Sequence, residues 1–488
     1  MAAVEAPVQS TDKLPSGRNW TETTRLMCAA AYLDGTFAQD VVEEILHESH
    51  RAVQIPPAVD IAPVARHCVA ARQQKILRDV LLAADLALAV VLLLATRSLL
   101  WLVVCFLAAW AVVLWDIWNA TYHVVMKRLN ALVFSPDSAP EPSDSVLSRR
   151  IEELSADQDG NVTVYSGFLP FAGAGLDQGG WSFVVDLRKG KGGPIGPSAA
   201  ERLAPEELYA AVRGSLEALQ MANLTISDRL FVSGADIRDD RILLPDPIQR
   251  PTPVVSTEVL NRYVSAATHH VRHYQCIRVV DWQGELVVSL YLRFAIRNGR
   301  LFCELSKFVL VPLKEELHRF DGLPGKMQLR HVMSMLRRSF VSALGLWLRS
   351  PKVVLRPLSR SRDRASSVKE VEQDPFFDYG ARVTALDRVR SSHYRRYFQR
   401  LDKEMYVKML ERAALDTVVD ILDNHGVDTA EIAERRSTII NNGIMMPGGS
   451  LQAGNVAVGT KASIGERVRA AAGASNTHDS PAGALGSS

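Results

Sequence analysis

Between Val80 and Trp118 the chain is almost continuously apolar. VLLAADLALAVVLLLAT (Val80–Thr96) is broken by Arg97 and Ser98, and LLWLVVCFLAAWAVVLWDIW follows from Leu99. Each half has about the 17–20 residues that a membrane-spanning helix needs at ~1.5 Å per residue. The pattern predicts a transmembrane helical hairpin over 79–129. Arg66, Arg72, Lys75 and Arg78 precede it, Lys127 and Arg128 follow it, and Arg97 alone marks the turn, so both flanks are expected on the cytoplasmic side. Trp101, Trp115, Trp118 and Tyr122 fall where aromatic rings straddle a head-group boundary. Asp85 and Asp116 lie within a turn or two of the cytoplasmic ends, where a carboxylate reaches water, Arg78 or Lys127.

On either side the period changes. Before the hairpin, TETTRLMCAAAYLD and TFAQDVVEEILHESHRAV carry helical spacing, with Thr36 and Gln39 as a capping box. A third helix starts near Asp60, with Pro63 in its first turn, and runs into the first membrane helix. Residues 1–78 thus form an N-terminal cytoplasmic helical region. After the hairpin, 130–160 reads as a linker centred on SPDSAPEPSDS.

From residue 161 to 325 the spacing predicts an α+β domain with an antiparallel sheet. NVTVYSGFLPF and WSFVVDL read as strands around the turn AGAGLDQGG, followed by the helices APEELYAAVRGSLEALQ and STEVLNRYVSAATHHVRHY. A three-stranded meander then extends from Tyr274 to Leu313, turning at Gly284 and at Asn298-Gly299, the latter suited to a type I′ turn. A basic helical region (326–437), an uncharged Gly/Asn-rich β segment (438–465) and an Ala/Gly/Ser-rich disordered tail (466–488) complete the chain. The fold class is an α+β membrane protein built around a two-helix hairpin.

Composition adds location rather than chemistry. With 488 residues, 47% hydrophobic and 23% charged, the chain is expected to fold as two or three units. A formal charge of +2 creates no global field, so attraction to lipid or nucleic acid has to be local. Five scattered cysteines without a C-x-x-C pair fit a reducing compartment, and MAAVEAPVQSTDK is not a signal peptide. The expected location is the cell membrane, multi-pass, with both termini cytoplasmic.

Four features hold candidate chemistry. Gly173, Gly175, Gly179 and Gly180 form a possible ligand-binding loop, although the spacing misses the dinucleotide fingerprint and a strand follows where a phosphate-binding helix should start. His269 and His273 are an i, i+4 pair on the expected helix, with no third ligand at a recognisable spacing, so no metal and no cofactor are assigned. Asp236, Asp239 and Asp240 alternate with Arg238 and Arg241 and read as a charged turn. From Lys326 to Arg412 there are twenty Lys and Arg against nine Asp and Glu. Within that region Arg330, Arg337, Arg338, Arg349 and Lys352 surround Trp347 on a helix suited to lying on an anionic membrane surface. Membrane lipids are therefore an expected partner and nucleic acid is not, because no binding motif accompanies the charge.

HYRRYFQRLDKEMYVKMLERAALDTVVDILDNHGVDTAEIAERRSTIINNGIMMPGG, together with NVTVYSGFLPFAGAGLDQGGWSF, resembles a group of uncharacterised bacterial membrane proteins with a two-helix hairpin. That resemblance implies the architecture and no activity. NNGIMMPGGSLQAGNVAVG (441–459) is similar in character to amyloid-type signalling motifs of bacterial immune effectors, with Ile444, Met446, Val456 and Val458 on one strand parity. Such a segment is too small to bury a core alone and needs a partner surface or copies of itself. No G-x-S-x-G or H-E-x-x-H motif occurs. The expected function is a non-enzymatic membrane-anchored scaffold or effector of signalling or defence type, a homo-oligomer with a possible signalling partner protein. The alternative is a membrane-tethered enzyme or small-ligand sensor using the α+β domain.

Overall fold

The computed structural model describes residues 21–190, 193–194, 203–265, 268–319, 329–355, 368–382, 385–430 and 432. The β segment with Ile444, Met446, Val456 and Val458 lies outside them.

Helices α1 (Thr21–Leu33) and α2 (Phe37–Val41), the latter continued by a π-turn to Leu46, precede α3 (Ile61–Thr96). The cap of α2 comes from Asp34, which accepts from the backbone N–H groups of Thr36 and Phe37; the expected Thr36 side-chain cap does not form. Asp60 caps α3 through the Ala62 N–H, as the sequence suggests, and the helix continues without a break for 36 residues. It ends at Arg97, whose left-handed φ of 52° turns the chain into α4 (Leu100–Trp118), extended by a π-turn to Val125. Both helices are long and apolar enough to cross a membrane.

Helix α5 (Ser145–Asp157) occupies the second half of the stretch read as a linker, capped by Asp144 and packed through Ile151 and Leu154. These two join Leu26, Met27, Ile45, Ile61 and Val64 in one core, with Val125 and Leu129 from beyond the apolar run of α4. The N-terminal helices are thus welded to later parts of the chain.

The strands are β1 (Val162–Tyr165), β2 (Leu176–Asp186), a short β3/β4 pair (Lys189–Gly190 and Gly193–Pro194), β5 (Leu224–Ser233), β6 (Val271–Asp281), β7 (Leu286–Arg297) and β8 (Arg300–Leu310). Six form a mixed sheet in the order β1-β5-β6-β7-β8-β2, with β1 and β5 parallel and the other pairs antiparallel. The meander β6-β7-β8 is the one expected, including positive φ at Asn298 and Gly299. Two departures matter. Helix α7 (Thr257–Ser265) stops before the histidines, because Val271-Arg-His-Tyr274 belongs to β6 and pairs with β5, a strand the periodicity did not reveal. In addition, β1 and β2 are not a hairpin: they lie on opposite edges of the sheet.

One face of the sheet packs on α6 (Pro205–Glu217), which has Pro at its first position as expected, and on α11 (Tyr397–Asn424). Leu290, Leu292, Phe294, Leu301 and Leu305 meet Leu208, Val212, Leu410, Leu415 and Val418 there. Between these elements, α8 (Glu315–His318) and α10 (Ala385–Arg388) add Leu317 and Leu386 to the N-terminal core. Helix α9 (Leu329–Leu355) lies against α3 and α4.

Candidate functional site

The segment linking β1 to β2 crosses the other face of the sheet. Six strands at ~4.8 Å spacing put the two edges about 24 Å apart, and the chain from Tyr165 to Leu176 reaches roughly 36–40 Å when extended. The strap can therefore cross the sheet with roughly 12–16 Å to spare, and needs an anchor to hold it there. Phe171 pins it: the ring stacks on Tyr291 at 4.2 Å and meets Phe231, Tyr274 and Phe308 at 5.0, 5.2 and 5.1 Å.

The four glycines read as a loop site serve this strap and the start of β2. A Cβ on Gly175 would stand 2.3 Å from the Val309 carbonyl oxygen, and one on Gly180 2.2 Å from that of Leu305. Gly173 has φ +72° and abuts Gln54, while Gly179 has φ +79° at a bulge in β2. None of the four lines the main cleft described next.

That cleft, about 1150 Å³, opens between the N-terminal unit, α5 and the β1-β5-β6 side of the sheet. Its walls come from residues 46–58, from α5, and from a loop at 245–253. Arg250 ties two walls together by donating to the carbonyls of Ile45 and Glu48. His50 donates from Nδ1 to the Ile248 carbonyl at 2.6 Å. On the floor, Arg229 of β5 and Arg278 of β6 come from neighbouring strands. Arg229 donates to Thr163 Oγ1 at 3.2 Å, and Arg278 reaches the Tyr291 hydroxyl. The Nε atoms of both are buried without a hydrogen-bond partner. Burial pushes the Arg229 guanidinium below its ordinary value, and the positive charge of Arg278 acts in the same direction. Sequence reasoning missed this pair. Its one signal was charge inside otherwise apolar strands, as in Cys276-Ile-Arg-Val-Val280.

Elsewhere the candidates separate. His269 lies in a bend before β6, edge-on to His270, while buried His273 is within β6 and contacts Asp228 at 3.1 Å, so the expected i, i+4 helical pair does not exist. No group of three or more metal-ligating side chains occurs among the described residues. Arg238 donates to the carbonyls of Val371 and Asp374 rather than pairing with the neighbouring acids.

The basic helix α9 is engaged with the hairpin. Trp347 is buried against it, beside Phe106 and Asp85. Trp110 donates to Ser339 Oγ at 2.9 Å, and Phe340 meets Phe106 and Trp110 edge-on. Arg337, Arg338, Arg349 and Lys352 are exposed; the side chain of Arg330 is outside the described set. At the hairpin's base, Arg78 bridges Asp79 (2.8 Å) and Asp116 (3.0 Å), and Gln74 donates to Asp116 at 2.9 Å. Asp116 thus finds the arginine its position suggested, whereas Asp85 faces Trp347.

The AbeC-like domain model matches residues 180–456, more than half of the chain. The chain belongs to the AbeC-like family. The AbeC-like domain begins inside β2 and contains the floor arginines, α9 and α11; the hairpin, the strap and the N-terminal wall of the cleft precede it. It extends into the uncharged C-terminal stretch, for which nothing supports a likeness to amyloid-type motifs. No curated protein and no solved structure matches the chain.

Proposed function

We propose that this AbeC-like protein is an integral protein of the cell membrane that holds its α+β domain at the cytoplasmic face and acts there as a non-enzymatic scaffold of signalling or defence type. The observation that carries the membrane reading is the inverted packing of the helical bundle. Small residues, Ala89, Cys105, Ala109 and Ala343, sit between the helices together with Leu82, Val113 and Trp347, while Leu88, Val91, Leu94, Val103, Val104 and Leu107 face outward. Only 17% and 22% of the two apolar windows are buried, the reverse of a soluble core helix. Small interfacial residues with large apolar ones outside are what lipid surroundings favour, because packing rather than water exclusion joins the helices.

In this reading α9 lies at membrane depth rather than on the surface. Its contacts, Phe106 and Trp110, are within the apolar run. The uncharged stretch from Ser339 to Leu348 covers roughly 15 Å, about half of a bilayer core, with arginines at both ends to reach the head groups.

The test is alkaline carbonate extraction of expressed protein, combined with labelling of a Ser98→Cys variant by a membrane-impermeant maleimide in intact cells. All five native cysteines are buried, so background labelling is low. Retention in the membrane pellet and labelling from outside are expected; release into the supernatant rejects the reading. Homo-oligomerisation through 441–459 is proposed separately. Deleting that stretch should reduce particle size in detergent, and an unchanged size distribution removes it.

A further inference from the structure

The cleft floor holds two arginines, Arg229 and Arg278, that form no salt bridge among the described residues, although the carboxylate of Asp159 on the cleft wall acts on Arg229. Arg229 and Arg278 have buried Nε atoms without partners, and Ser289, directly opposite Arg278 on β7, has a buried hydroxyl in the same condition. Of the six carboxylates along the walls, Asp157 feels the charge of Arg150 and four others are engaged elsewhere. Asp144 caps α5, Glu153 pairs with Arg150, Asp246 holds the Ile248 N–H, and Glu48 holds the His50 N–H. Asp159 acts on Arg229 weakly beside the effect of burial.

Burying two guanidiniums with unpartnered Nε atoms and no salt bridge is unfavourable unless something recovers the cost on binding. Two guanidiniums supply fork-shaped donors and a charge of +2, which matches a phosphate ester carrying about −1.5 to −2 at neutral pH better than a single carboxylate. We propose that the cleft binds a soluble small molecule bearing a phosphate group, held by Arg229 and Arg278, with the organic part against the apolar wall of Leu46, Val53, Ile55 and Leu147. The volume accommodates a ligand of nucleotide size.

A lipid head group shares the phosphate chemistry, but the position disfavours it. The wall at Pro56–Ala58 immediately precedes α3, and the helix runs from Ile61 to Val80, roughly 29 Å, before the apolar stretch begins. This inference stands whether or not the hairpin crosses a bilayer.

The experiment is thermal melting of the full chain in detergent with AMP, inorganic phosphate or dihexanoyl phosphatidic acid, each against sodium chloride at equal ionic strength. AMP should raise Tm by several degrees, phosphate by less, and the chloride control not at all. Arg229→Gln and Arg278→Gln should abolish the AMP shift and, without ligand, melt at or above the unsubstituted protein. An AMP effect no greater than that of chloride, or one that survives both substitutions, overturns the proposal; a larger effect from the short-chain lipid overturns its soluble source. Should either variant fail to fold, the 31P line width of AMP mixed with the unsubstituted protein decides. Broadening reversed by excess phosphate supports the site, and no broadening removes it.

Discussion

The sheet and the helical bundle use the same apolar residue types in opposite ways. Around the sheet, Leu290, Leu292 and Leu301 are sealed from solvent, and Phe171 is clamped within four aromatic rings. Around the hairpin, Leu94 is 74% exposed and Val91 60% exposed, while Ala89, Ala109 and Ala343 share the contacts with Leu82, Val113 and Trp347. Hydrophobicity alone does not say where a side chain goes. The sheet region is organised by exclusion from water, whereas in the proposed membrane reading the bundle is joined by packing around its small residues, leaving its bulk for the surroundings.

The sharpest break of that contrast is Phe171→Ala. Removing the ring that pins the strap should cost about 3–5 kcal/mol and open the sheet face, read as a lowered denaturant midpoint. Next in size is an acid effect on the N-terminal core. Burial, and then the charge of Arg128, hold the His67 imidazole down at about 4, against an ordinary 6.5. The unfolded chain therefore takes up the proton first. Stability is full above about pH 6.5 and declines as pH falls toward 4, by roughly 3 kcal/mol in all. His67→Gln keeps a polar partner for the Tyr32 hydroxyl and should flatten that part of the pH dependence of Tm.

Smaller effects belong to the bundle. Ser339→Ala removes the acceptor of the Trp110 indole and should cost about 0.6–1.7 kcal/mol, detectable as faster dissociation of α9 from the hairpin in hydrogen exchange. Leu94→Ala is expected to change the detergent-solubilised stability by no more than about 0.5 kcal/mol, although it deletes a leucine. If Leu94→Ala instead matched Phe171→Ala, the outward face of the hairpin would be covered by protein, and the contrast between the two regions would fail.

Legibility in the sequence followed the same division. Sequence pattern made the hairpin helices, the Asp60 cap and the unbroken passage from the polar first part of α3 into its apolar run visible, because helix length and capping are local properties. The meander was equally legible, since Asn298-Gly299 dictates a tight turn between alternating strands. β5 was not. Its Leu224-Thr-Ile-Ser-Asp-Arg-Leu pattern places Arg229 and Asp228 inside the strand, and only pairing with β1 and β6 makes that placement sensible. The histidine pair was lost for a related reason: β6 draws His273 into the ladder with β5, overriding the helical spacing.

The sequence by itself determined which segments are apolar enough to cross a membrane, where the meander turns, and that a basic helical region follows. Tertiary structure alone decided that β1 and β2 part to opposite edges with a strap between them, and that α9 seats Trp347 on the hairpin. It alone brought Arg229 and Arg278 to one cleft floor. The reason is physical: turns, caps and hydrophobic length are set by neighbours in the chain. Strand order and the convergence of side chains depend on pairings between residues tens of positions apart, which no local pattern encodes.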